Sequence, residues 1–117
     1  MKMIAPYIPY IYLAIAVAAE VVATTALKAS DTLSKPVPSA IMVVGYIITF
    51  LFMSLVMRSL PVGITYALWS GLGIILITIA SIYLFGEILD LPAIIGIGMI
   101  ICGIIVIQTF SKMNING

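Results

Sequence analysis

Residues 3–27 read MIAPYIPYIYLAIAVAAEVVATTAL, and Glu20 is the one charged residue between Lys2 and Lys28. A run of this length and apolarity exceeds the roughly 20 residues that a helix needs to cross the hydrocarbon core. A carboxylate near the middle of such a span costs about 2.5–3.5 kcal/mol on insertion scales. Intramembrane acids face a bundle interior or a water-filled cavity, and they mark ion, proton or substrate sites. Glu20 is therefore where function is sought.

The rest of the chain follows the same plan. Of 117 residues, 64% are hydrophobic and 8% charged, against about 25% charged in a soluble domain. Three further runs, residues 36–57, 59–86 and 91–111, hold no charge. None alternates polar and apolar residues as a barrel strand would. The chain reads as an all-α integral membrane protein, one four-helix transmembrane domain over residues 1–117 with helices near 9–28, 37–57, 62–85 and 92–111. Pro9, Pro36, Pro38, Pro61 and Pro92 fall at or near the helix starts, where a missing N–H costs nothing. The short connections, Ala29 to Lys35, Arg58 to Pro61 and Gly86 to Asp90, predict that successive helices pack as antiparallel neighbours. The first span is too long, and carries too awkward an acid, to be expected to act as a cleaved signal peptide.

Composition also excludes classes. There is no His, hence no imidazole relay or His-based metal site, and no metal or cofactor is expected. Cys102 is the single cysteine and reads as a small packing residue. A net charge of +1 argues against a nucleic-acid partner. No second acid accompanies Glu20 in the spans, so no catalytic residues are assigned and an enzyme is not expected.

Positions three and four apart share a helix face, and the face of Glu20 carries Tyr12, Leu13, Ala16, Val17, Ala23 and Thr24. Two hydroxyls and a carboxylate line one stripe, and Ala16 and Ala23 leave room beside it for a helix or a ligand. As a plain packing device Glu20 would be a costly choice, since Ser, Thr or Asn bonds a neighbouring helix at lower insertion cost. One carboxylate can be neutralised by a proton or by an organic cation, not favourably by both at once. That mutual exclusion is the physical core of an antiporter.

The third span adds YALWSGLG (residues 66–73). Tyr66 and Trp69 share a face, and aromatic faces attract cations, at about 2 kcal/mol or more when desolvated. Trp69 lies about eight residues inside its span, too deep for an interfacial belt. Gly71 and Gly73 let the helix bend or be closely approached. In the second span Tyr46 and Phe50, beside Gly45 and Thr49, fit an aromatic wall or apolar packing alike. In the fourth, Gly96, Ile100 and Gly103 form a small-residue stripe of the kind that permits close helix contact in lipid.

The stretches YIYLAIAVAAE (10–20), LPVGITYALWSGLG (60–73) and LDLPAIIG (89–96) resemble the small multidrug resistance transporters of bacteria over about residues 7–111. The resemblance implies a four-helix protomer that works as an antiparallel homodimer in the bacterial inner or plasma membrane. It implies export of hydrophobic and quaternary ammonium cations in exchange for protons, with Glu20 of both protomers forming one proton- and substrate-binding site. Around it the resemblance places Tyr12, Ala16, Thr24, Tyr46, Phe50, Tyr66 and Trp69 as substrate-binding residues. It makes Gly71 and Gly73 the flexing point of the third helix, and Gly96 and Gly103 the dimerisation surface of the fourth. Trp69-Ser70-Gly71, the apolar Ile74 to Ile77 and Tyr46 look like the multidrug branch, with guanidinium or polyamine export the alternative within the family. The chain departs from that branch in the first loop, where Thr32-Leu33-Ser34-Lys35 stands in place of a common Gly-Phe-Thr-Arg. Outside the family, a passive channel would need rings of polar groups, and a structural or assembly subunit would leave Glu20 without a role.

Lys/Arg asymmetry orients a membrane protein. Here Lys2, Arg58 and Lys112 oppose Lys28 and Lys35, which fits a weakly biased single orientation and insertion in both orientations alike. The second case predicts that a C-terminal tag is accessible from both faces of the membrane in comparable amounts. Two Lys added near the second loop should then bias insertion and reduce activity when that variant is expressed alone. A wild type found in one orientation would defeat dual insertion.

Overall fold

A computed structural model describes residues 6–112 as four helices: α1 Ile8–Ala29, α2 Pro36–Val56, α3 Val62–Phe85 and α4 Leu91–Phe110. Each is long and apolar enough to cross a membrane. Lys2, counted above in the charge comparison, lies outside the described residues.

Local chemistry sets the ends. Proline occupies the first turn of α1, α2 and α4. Asp90 caps α4, its carboxylate accepting from the Ala93 N–H at 3.0 Å. Gly86 ends α3 at φ +67°, a left-handed conformation that glycine adopts without a Cβ penalty. The connection from α1 to α2 is built differently. Ser30 is fully buried, and its hydroxyl donates to the Leu27 carbonyl at 2.7 Å while accepting from the Leu33 N–H at 3.0 Å. The chain then turns through Asp31, Thr32 and Leu33, at φ 50°, 61° and 65°. Three consecutive left-handed residues, none of them glycine, are costly, at about 1–2 kcal/mol each.

α1 is the central helix, packed against α2 on one side and α3 on the other, and α3 carries α4. The expectation that every short loop joins packed neighbours is corrected here, because α2 and α3 do not pack along their lengths. In lipid there is no hydrophobic drive between helices, so small residues that allow close approach decide which helices meet. Gly45 brings α2 onto α1, where a Cβ would stand 2.7 Å from Ala23 Cβ and 3.1 Å from the Ala19 carbonyl oxygen. A Cβ at Gly73 would run into α1, and one at Gly71 would overlap Ile104 of α4. The buried core, Leu13, Ala16, Val17, Met53, Val56 and Leu68, lies where the first three helices converge.

Past that core the two ends of α1 and α3 meet again, with Lys28 Nζ 3.8 Å from Glu87 Oε2 and 5.8 Å above the Phe85 ring. Both charges are exposed, so the pair adds little stability. α4 stands apart. None of its residues is buried, and an added Cβ at Gly96 or Gly103 would meet no atom within 4 Å.

The left-handed turn yields a stability prediction. Thr32 is β-branched and is the worst placed of the three, so Thr32→Gly should stabilise the protein. The removed strain of about 1–2 kcal/mol exceeds the added unfolded-chain entropy of about 0.5–1 kcal/mol. Thermal unfolding in detergent should move up by a few degrees, and an unchanged or lower midpoint would show that the turn is unstrained.

Candidate functional site

Glu20 sits mid-way along α1, half-buried, at the junction with α2 and α3. One helical turn on, Thr24 Oγ1 donates to Glu20 Oε2 at 2.5 Å. The same hydroxyl lies 2.7 Å from the Tyr46 phenol of α2. The second carboxylate oxygen points the other way, so that a Cβ on Gly73 of α3 would be 2.6 Å from Glu20 Oε1. The carboxylate thus lies in a slot between α1 and α3 whose floor is a bare backbone, and it is held from the α2 side by hydroxyls.

The remaining expected residues fall into separate groups. Ala16 is fully buried one turn before Glu20. Tyr12 packs its ring on Phe52, centroids 5.8 Å apart. Tyr66 and Trp69 meet edge to face at 5.3 Å, and Tyr46 stacks on Phe50 at 6.2 Å. Tyr66 and Phe50 are exposed. Among the described residues, no hydrogen bond joins Glu20 to Tyr12, Tyr66 or Trp69. Within one protomer the structure therefore brings Thr24, Tyr46 and Gly73 to Glu20, and it leaves Phe50 and Tyr66 on the outer surface.

Three features escape sequence reading. Gly73, expected to let α3 bend or be closely approached, is approached by the Glu20 carboxylate itself, a partner that its spacing along the helix does not name. Tyr46 reaches Thr24 across two helices, a contact that no spacing along either helix contains. Thr65, not singled out before, is fully buried, and among the described residues neither its hydroxyl nor the Trp69 indole N–H has a hydrogen-bond partner. Buried polar groups without partners are costly, and the two sit one turn apart on the same face of α3.

A groove of about 620 Å³ lies elsewhere. It runs between α1 and α2, lined by Ile15, Ala19, Val22, Ile41, Val44 and Ile48. Helical periodicity puts Ile15, Ala19 and Val22 on the side of α1 away from Glu20. With no charged or hydroxyl group in its lining it offers a cation nothing. Among the described residues no cluster of His, Cys, Asp or Glu could hold a metal ion.

Four helices long and apolar enough to cross a membrane, the first three meeting at a lone carboxylate, define a multi-pass membrane protein. The comparisons say which kind. The Small Multidrug Resistance protein model matches residues 8–100, and the chain belongs to that family, one of transporters and not of enzymes. It is 55% identical over 105 residues to a multidrug transporter of Pseudomonas aeruginosa, covering 90% of this chain and 96% of the relative. It is 46% identical over 105 residues to the quaternary ammonium compound-resistance protein QacE of Escherichia coli, with the same coverage of 90% and 96%. To the corresponding protein QacC of Staphylococcus aureus it is 43% identical over 106 residues, 91% of this chain and 99% of the relative.

The slot at Gly73 separates a steric role from a flexing one. Gly→Ala within a helix gains up to about 1 kcal/mol of helix propensity, so substitution at a merely flexible glycine should stabilise. Gly73→Ala should instead forfeit that gain, because the Glu20 carboxylate has to swing away from the new methyl and shift its bond with Thr24. Gly63→Ala, whose Cβ would meet open space, should be neutral or stabilising. Thermal unfolding of both variants in detergent checks this, and a stabilised Gly73→Ala would remove the steric role.

Proposed function

We propose that this chain exports hydrophobic and quaternary ammonium cations from the bacterial cell in exchange for protons. The observation that carries the reading is Glu20, the one acid within the apolar spans, set beside Gly73 on the helix that bears Tyr66 and Trp69. A carboxylate there binds a proton or a cation, and the aromatic pair supplies faces for the organic part of the cation. The names of the relatives QacE and QacC, quaternary ammonium compound-resistance proteins, favour that substrate class over guanidinium or polyamines.

The working unit in this proposal is an antiparallel homodimer of single-domain protomers in the inner or plasma membrane. Its dimerising surface is the α4 face with Gly96 and Gly103, which no described residue of the protomer covers. Glu20 of each protomer then contributes to one site, with Tyr12, Ala16, Thr24, Tyr46, Phe50, Tyr66 and Trp69 around it. The exposed Tyr66 and Phe50 are available to a second copy or to the substrate. Gly71 and Gly73 lie where α3 would adjust as the site opens to alternate sides. Import of two protons for each monovalent cation expelled would add the membrane potential to the driving force, at about 2.3 kcal/mol per charge per 100 mV.

Uptake of a labelled quaternary ammonium cation into inverted vesicles, with and without a pH gradient, tests the reading. Wild type should accumulate label only when the gradient is present. Glu20→Gln should abolish uphill accumulation, because a neutral amide cannot trade a proton for a cation, whereas Glu20→Asp should retain transport with an altered pH profile. Gradient-driven accumulation by the Gln variant would take Glu20 out of the mechanism, and accumulation of guanidinium alone would move the chain to the other branch.

A further inference from the structure

The hydroxyl chain at Glu20 has a defined order. Thr24 Oγ1 carries one hydrogen, and it is used in the bond to Glu20 Oε2 at 2.5 Å. At the 2.7 Å contact the Tyr46 phenol must therefore be the donor. The sequence of donation runs Tyr46 to Thr24 to Glu20, from α2 into α1. When the carboxyl is protonated at Oε2 the same three oxygens can stay bonded with every hydrogen reversed, Glu20 donating to Thr24 and Thr24 to Tyr46. A chain that is satisfied in either direction is one along which a proton can pass.

We propose that Tyr46 and Thr24 form a hydroxyl relay that delivers the proton to Glu20 Oε2 and removes it, while Oε1, against α3, is left to the cation. On release, the carboxyl proton passes to the Thr24 oxygen, the Thr24 hydrogen passes to the Tyr46 oxygen, and the Tyr46 hydrogen passes to water. Each hydroxyl loses one hydrogen and gains one, no electrons change hands, and the net transfer is one proton from Glu20 to water. Uptake is the reverse.

Among the described residues no other side chain hydrogen-bonds or ion-pairs with the carboxylate. α3 meets the carboxylate with Gly73, which has no side chain. The titratable Tyr66 of that helix is exposed and paired with Trp69. Within α1 the next charge is Lys28, two turns on, and it faces Glu87. α2 contributes Tyr46 alone. Proton and drug then compete for one negative charge, but the proton comes and goes through Oε2 on the Thr24 side while Oε1 faces Gly73 of α3.

The inference rests on the proton role of Glu20 proposed above, so its test uses drug-free purified protein and includes Glu20→Gln. Stopped-flow pH jumps with a pH-sensitive dye measure the rate and amount of proton uptake. Thr24→Val, close in shape, and Tyr46→Phe, which keeps the ring on Phe50, should each slow uptake about tenfold or more in jumps to a pH low enough to protonate the acid fully in every variant. Thr24→Ser, which restores the hydroxyl, should recover most of the rate, a rescue that a purely structural role would not require. Wild-type rates in Thr24→Val or Tyr46→Phe, or a Thr24→Ser variant as slow as Thr24→Val, would overturn the relay alone. An uptake step that persists in Glu20→Gln would remove Glu20 from proton binding, and the relay with it.

Discussion

An acid inside the hydrocarbon layer has to be given polar partners and space, and the first three helices are arranged around that need. Lipid supplies no hydrogen bonds, so the partners must come from the protein. Thr24, one turn away on the same helix, bonds one oxygen, and Tyr46, from the next helix, bonds Thr24 in turn. Gly73 provides space for the other by having no side chain. The three contributions come from three helices, which ties the state of one carboxylate to the relative placement of all of them.

The same packing economy explains the shape of the protomer. Where helices touch, the contact is made by a residue that takes up little room: Ala19 and Ala23 with Gly45, Glu20 over Gly73, Ile104 over Gly71. Where no such pair exists, as between α2 and α3, the helices share the core at one end but do not pack along their lengths, although a turn of a few residues joins them. α4 follows from the same rule, since its glycines Gly96 and Gly103 face no helix of their own chain. A small-residue stripe left bare is an interface in waiting, and in the proposed dimer a second copy occupies it.

Polar groups elsewhere in the bundle behave less uniformly. Thr49 is buried but donates to the Gly45 carbonyl at 2.8 Å within its own helix, a local bond that satisfies it wherever α2 goes. Thr65 and Trp69 have no such outlet. Their side chains lie where α3 meets the shared core, beside the helices that converge on Glu20, so the cost of leaving them unpaired falls on the part of the molecule that proposed transport requires to move.

Four spans, their ends to within a residue or two, and the singular position of Glu20 were legible in the sequence, because apolar run length, proline placement and the cost of a buried charge are local properties. The stripe that joins Tyr12, Ala16, Glu20 and Thr24 was legible for the same reason, since helical periodicity is local too. Which helix each stripe meets is not local. Tyr46 bonding Thr24, Gly73 underlying the carboxylate, α1 lying between α2 and α3, and the left-handed turn through Asp31, Thr32 and Leu33 all depend on how separate helices approach. In lipid that approach is decided by the matching of small surfaces between partners, and only the assembled tertiary structure contains the match.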